Sequence, residues 1–244
     1  MGKKMKIYLD NGTFMQRISD YVGNGYHWHV GGVFLSHDAN KIEDFALKMV
    51  ERYETNLTAK GRHRNRSVGM AVCVLLAHVG ASGHLLWKLL ATDGDGAFHD
   101  LERSKRDARL KHERISLATG FELVKTTRPA AHGGGEAWTW RMTDTLYKKV
   151  ESNLTRISLN CSPGDVEQAL YDLLMKRPMF RGIRSQSNRL LTHFRREWIV
   201  HRGDTPLPEL PSLPYIRRQR DRLCLPNDVA KLREYGASSD HTSK

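Results

Sequence analysis

The chain has 244 residues, 39% hydrophobic, 27% charged and 8% aromatic, which excludes a disordered or fibrous protein and leaves room for one large domain or a domain with an appendage. Lys and Arg number 39 against 27 Asp and Glu, a net charge of +12, and the three cysteines lie far apart without a CxxC, which argues against a disulfide framework and a structural zinc site. The longest apolar stretch, Val68 to Ala77, is too short to cross a bilayer, and Asp10, Asn11 and Gly12 interrupt Ile7 to Phe14, so the expectation is a cytoplasmic, reduced protein with no signal-peptide core and no membrane partner.

Residues 26–35 (YHWHVGGVFL) are aromatic and β-branched between Gly25 and Ser36 and predict a strand. Ile42, Phe45, Ala46, Met49, Val50 and Tyr53 recur at helical spacing, so a helix follows, capped by Asp38 or Asn40. Residues 58–66 (TAKGRHRNR) predict a basic loop. Two apolar strands come next, 68–79 and 84–92, joined at Gly80 and Gly83 and closed by a tight turn at Asp93-Gly94-Asp95-Gly96. Residues 100–114 carry mixed charges without an apolar stripe and suit a solvated helix or loop.

Ile115, Leu117, Phe121 and Leu123 alternate, so 115–125 pairs with 136–142 in a long hairpin kinked at Gly120, with Trp138 and Trp140 packing on it. Thr143 or Asp144 caps a helix through Leu146, Val150, Leu154 and Ile157. The next helix starts with Ser162 at the cap, Pro163 in the first position and Asp165 in the third, and ends at Arg177-Pro178. A further helix spans about 180–202, with Ile183, Leu190, Phe194 and Trp198 on its buried side. Four prolines in 205–214 predict an extended connector to a basic tail. The fold class is α+β: a mostly antiparallel sheet of about five strands with a C-terminal helical portion. The expected parts are an α+β domain over 1–160, a basic helical portion over 161–204, and a connector with tail over 205–244.

Charge is unevenly spread. Residues 173–222 hold 12 basic and 4 acidic side chains, an excess of 8, and every basic residue after Arg177 there is arginine. Arginine's planar fork fits phosphate oxygens, so a local arginine excess points to a polyanion. Arg181, Arg189, His193 and Arg196 fall on one helical face flanked by Arg184 and Arg195. Arg62, Arg64 and Arg66 in the basic loop, Arg128 at the hairpin tip, and Arg217 and Arg218 in the tail are further candidate nucleic-acid contacts.

His27-Trp28-His29 is the second constellation. On a strand the two imidazoles share a face about 6–7 Å apart. The pattern resembles the His-hydrophobic-His motif of the HUH endonucleases. That resemblance implies a metal-dependent DNA nickase in which His27 and His29, with a third polar ligand, hold Mg²⁺ or Mn²⁺ to polarise a phosphate. A helical tyrosine would then attack the phosphate, and Tyr147, beside Lys148, and Tyr171 are the candidates. The family continues its motif as a hydrophobic strand, where this chain has Gly31-Gly32. A metal-free version is a ribonuclease with His27 or His29 as general base.

The remaining motifs exclude chemistry. Asp93-Gly94-Asp95-Gly96 lacks the later ligands of a calcium loop, Gly133-Gly134-Gly135 does not join a strand to a helix, and no Walker or nucleophile-elbow motif is present. The expected function is nucleic-acid binding, DNA or RNA, without a cofactor. The alternatives are the histidine enzymes and a protein subunit of a ribonucleoprotein or DNA-processing complex.

Overall fold

The computed structural model describes residues 5–35, 41–80, 83–128 and 130–225. The chain divides into two compact units, one of 1–114 with 218–244 and one of 115–217. The boundaries expected at 160/161 and 204/205 both fall inside the second unit. The structure is α+β and mostly antiparallel, as expected, but its strands are split between a six-stranded and a three-stranded sheet.

The first unit runs β1 (Lys6–Tyr8), α1 (Asn11–Gly23), β2 (Trp28–Phe34), α2 (Ile42–Tyr53), α3 (Ala59–Ser67), β3 (Cys73–Val79), β4 (Leu85–Ala91), α4 (Ala97–Leu101) and β5 (Arg106–Asp107). With β9 (Leu223–Cys224) from the far end of the chain, its sheet has the order β5-β2-β4-β3-β1-β9. Among the described strands of this sheet only the β1–β3 pair is parallel. Alternation sends Ile7, Leu75, Ala77, Leu85 and Leu89 to one face, where they form a core with Ile42 and Ala46 of α2. On the other face, Phe14 of α1 packs against Tyr8 and His78.

Three sequence expectations change here. The 58–66 segment is the helix α3, not a loop; the Thr58 side chain accepts from the Gly61 amide and starts it. None of its residues is buried, so it carries no apolar stripe for a pattern to reveal. The strand expected from 68 begins only at Cys73, because Gly69 takes a positive φ of 80° and Met70 bridges to Asp95. β1 and α1 were not expected at all. Asp10 nevertheless caps α1 by accepting from the Thr13 amide at 2.7 Å. The caps expected for α2, Asp38 and Asn40, lie outside the described residues.

The second unit runs β6 (Ser116–Leu117), β7 (Phe121–Thr127), β8 (Glu136–Met142), α5 (Asp144–Asn160), α6 (Val166–Leu174) and α7 (Arg181–Arg202). β7 and β8 form the expected hairpin, with β6 on its other edge. α6 starts three residues later than Ser162 suggests, at Val166 with Asp165 in the cap position. The Ser162 hydroxyl donates to the Asp165 carboxylate instead of accepting from a helical amide, so 162–165 is a turn.

α7 lies close against β8. A Cβ at Gly182 would stand 2.5 Å from the Trp140 carbonyl oxygen, so only glycine permits this approach. Gln186 completes the contact: its Oε1 accepts from the Met142 amide at 2.6 Å and its Nε2 donates to the Met142 carbonyl at 3.0 Å. The free edge of β8 is thereby partly covered. Arg202 donates to the Ser158, Leu159 and Cys161 carbonyls at 2.6, 3.0 and 2.7 Å, capping the C-terminal end of α5.

Candidate nucleic-acid interface

α7 separates apolar and basic chemistry around its axis. Ile183, Leu190, Leu191, Phe194 and Trp198 are buried, as the spacing predicts. Arg189, Arg195 and Arg196 are exposed, together with Ser185, Asn188 and Thr192. Among the described residues these three arginines make no hydrogen bond or ion pair. No carboxylate lies on this outer strip: Glu197 sits to the side, 3.4 Å from His201. Toward the helix end the strip continues as Ile199 and Val200, 64% and 71% exposed.

Several of the other side chains expected to contact nucleic acid are engaged within the fold, Arg217 among them. Arg181 donates to the Thr127 carbonyl at 2.9 Å and to the carbonyl and hydroxyl of Thr126, which ties the start of α7 to β7. Arg184 donates to the Leu213 carbonyl at 2.9 Å and stacks on Tyr215 at 4.0 Å. His193 meets the Thr155 hydroxyl of α5 at 3.0 Å, so it does not join the outer row. Arg218 forms a two-pronged pair with Asp20 at 2.8 and 3.2 Å. These side chains hold elements together. A helical wheel cannot anticipate that, because their partners are distant in sequence. Arg128 is exposed at the hairpin tip, and Arg217 is exposed before the tail.

In the first unit, Arg62, Arg64 and Arg66 project from α3 with Lys60 and His63, two basic side chains the expectation omitted. Arg66 lies over the Tyr26 ring at 4.6 Å, and Arg62 is within electrostatic reach of the same phenol. Arg62 also lines a cavity of roughly 60 Å³ with Lys6, Tyr21 and Asn56. In the second unit α5 exposes Lys148 and Lys149, which the Lys-Lys pair in the sequence signals on its own.

The histidine pattern has a different setting from the one its resemblance implies. His29 is 3% exposed, and its Nε2 donates to the Glu113 carbonyl at 2.7 Å. A carbonyl oxygen only accepts, so Nε2 carries the proton. Burial, with Lys88 and Arg106 nearby, pushes this imidazole down to about 4. Trp28 Nε1 donates to Asp93 at 2.6 Å, and His27 Nδ1 stands 4.0 Å from the same carboxylate. Arg109 binds that carboxylate through both terminal nitrogens at 3.0 Å and reaches Asp107 through Nε at 2.8 and 2.9 Å.

Arg109 holds the Asp93 carboxyl below the usual range. At Asp107 burial pushes the carboxyl up and the Arg109 bonds more than offset it. The segment expected to be merely solvated therefore supplies an ion-pair network. Among the described residues no group of three or more His, Cys, Asp or Glu side chains is arranged to hold a metal. Tyr147 lies on α5, where burial and then Glu151 raise its phenol above the ordinary value despite Arg189. Tyr171 is 52% exposed on α6.

Comparison with family models, with curated proteins and with solved structures finds no match to this chain. Among the described residues no helix is long and apolar enough to cross a membrane.

Proposed function

We propose that the protein binds nucleic acid and contacts its phosphates through the outer face of α7. The supporting observation is the strip of Arg189, Arg195 and Arg196, exposed, free of hydrogen-bonded or ion-paired partners among the described residues and free of interspersed carboxylates. A surface that serves only solubility mixes both signs. A row of unpaired guanidinium groups on a rigid helix is suited to successive phosphate oxygens. α3 supports the same reading in the other unit: nine residues, three arginines and a lysine, no carboxylate and no buried side chain. A helix that buries nothing and repels itself gains by meeting a polyanion.

The exposed Ile199 and Val200 favour a second reading, a subunit that docks on protein while α7 lies along nucleic acid. Gel shifts against duplex DNA, single-stranded DNA and structured RNA, with and without Mg²⁺ or Mn²⁺ and scored for cleavage, test both. Binding to at least one class at low salt, with the substrate intact, is the expected outcome. Absence of binding to all three at low salt would contradict the proposal. Binding that tightens only with a protein partner would favour the subunit.

A further inference from the structure

We infer that the open face of the six-stranded sheet around Gly31 is a binding site for a phosphate group, built from Lys88 and Arg106 in the first unit. It is separate from the arginines of α7 and stands without them.

The register places the parts. Gly31 in β2 lies opposite Lys88 in β4, and His29 in β2 lies opposite Arg106 in β5. Residues two apart on a strand share a face, so Gly31, His29, Lys88 and Arg106 all belong to one face of the sheet. Gly31 lets Lys88 take an unusual path. A Cβ at position 31 would stand 2.6 Å from Lys88 Cδ and 3.0 Å from Nζ. The lysine therefore lies down across β2 in the space the glycine leaves, instead of extending its ammonium to bulk water as lysines normally do. The face is open there, with Gly31, Val33 and Arg106 all exposed.

Two cations lie on this face, neither paired with a carboxylate among the described residues, and the Glu113 carboxylate is the negative charge that bears with them on His29. Among the described residues neither Lys88 nor Arg106 makes a hydrogen bond or an ion pair. Burial first, then Arg106, disfavours the charge on Lys88, and both cations bear on His29. The neighbouring carboxylates are occupied. Glu113 accepts from the Asp107 amide at 2.6 Å and lies 3.5 Å from His112, while Asp93 and Asp107 are bound by Arg109. A half-buried cation beside a like charge is costly unless an anion joins them. A tetrahedral oxyanion bridging an ammonium and a guanidinium meets that need, with charge-assisted bonds to both.

The phosphate has two sources, an internal diester of a nucleic acid or a terminal or free phosphate. Thermal melting of the full chain at fixed ionic strength distinguishes them. Saturating inorganic phosphate in place of chloride should raise the wild-type Tm by ~2–4 °C through binding to the native state. Lys88→Met keeps the length and removes the charge. It should melt higher than wild type in chloride and lose the phosphate-dependent rise. Arg106→Gln, at an exposed position, should lose at least half of that rise, and it decides the matter if Lys88→Met fails to fold. The Arg189→Gln/Arg196→Gln variant should keep the rise, so failure here and failure of α7 are separate results.

Short single-stranded oligonucleotides with and without a 5′-phosphate complete the set. If Lys88→Met weakens binding of both, the ligand is the internal diester; if it weakens only the phosphorylated one, it is the terminal phosphate. A Lys88→Met protein that melts lower than wild type in chloride, or variants at 88 and 106 that keep the full phosphate rise, would overturn the site.

Discussion

Acidification from pH 6.5 to about 4 should cost the fold ~3 kcal/mol through His29 alone. The ring is buried, neutral in the folded protein and held to the Glu113 carbonyl, whereas in the unfolded chain it titrates near its ordinary 6.5. Between those values the unfolded chain binds a proton that the folded protein refuses. Stability is therefore fully present above pH 6.5, falls as the pH drops through this window, and levels off below about 4. Asp93 and Asp107, held low by Arg109, and His78, lowered by burial, add acid sensitivity of their own. The comparison is thus wild type against His29→Gln, which keeps a donor for the carbonyl and cannot titrate. Urea melts across the pH range should show the variant's loss to be smaller by about that amount. Parallel curves would mean that His29 is solvated. Added Mn²⁺ should leave both proteins' melting temperatures unchanged; a rise abolished by His29→Ala would instead support the metal reading.

Trp198→Ala should destabilise the protein by ~3–5 kcal/mol, the cost of a large cavity in a packed core. The indole is 1% exposed, packs against Phe194 in a tilted arrangement with centroids 5.7 Å apart, and donates to the Thr205 carbonyl at 3.2 Å. Arg202 lies over its ring at 5.3 Å, so the same side chain orients the guanidinium that caps α5. Loss of the ring therefore removes packing and the surface on which the capping guanidinium of Arg202 rests. The urea midpoint should fall with an unchanged m-value. Because Trp198 lies away from the outer strip, nucleic-acid affinity measured well below melting should be retained. A loss of less than ~1 kcal/mol would show that α7 is not packed as described.

What the sequence makes legible follows from burial. α7 and the β7–β8 hairpin carry apolar residues at regular spacing, and β2 is rich in aromatic and β-branched residues between Gly25 and Ser36, so these elements are legible. α3 buries nothing, so only its charge was visible and its helicity was not. α1 begins with Asn11-Gly12, two residues that favour turns, and its cap at Asp10 becomes evident only with Phe14 and Ile18 packed on the sheet. The candidate interface was half legible. Spacing placed Arg189, Arg195 and Arg196 outward, but the partners that engage Arg181, Arg184 and Arg218 come from β7, the connector and α1. The Lys88–Arg106 pair depends on strand register across β2, which no local pattern contains.

The most direct test of α7 as a phosphate-binding helix is the salt dependence of affinity for Arg189→Gln/Arg196→Gln against wild type. Each arginine that neutralises a phosphate releases condensed counterions, so log affinity falls with log salt by ~0.9 per duplex contact. Glutamine is a fair helix former, and both positions are exposed, so the fold should be intact. The expected result is a slope flatter by ~2 units with affinity lowered for every sequence alike. An unchanged slope and affinity for all nucleic acids would contradict the proposal and leave α7 as a solvated face or a protein-docking surface.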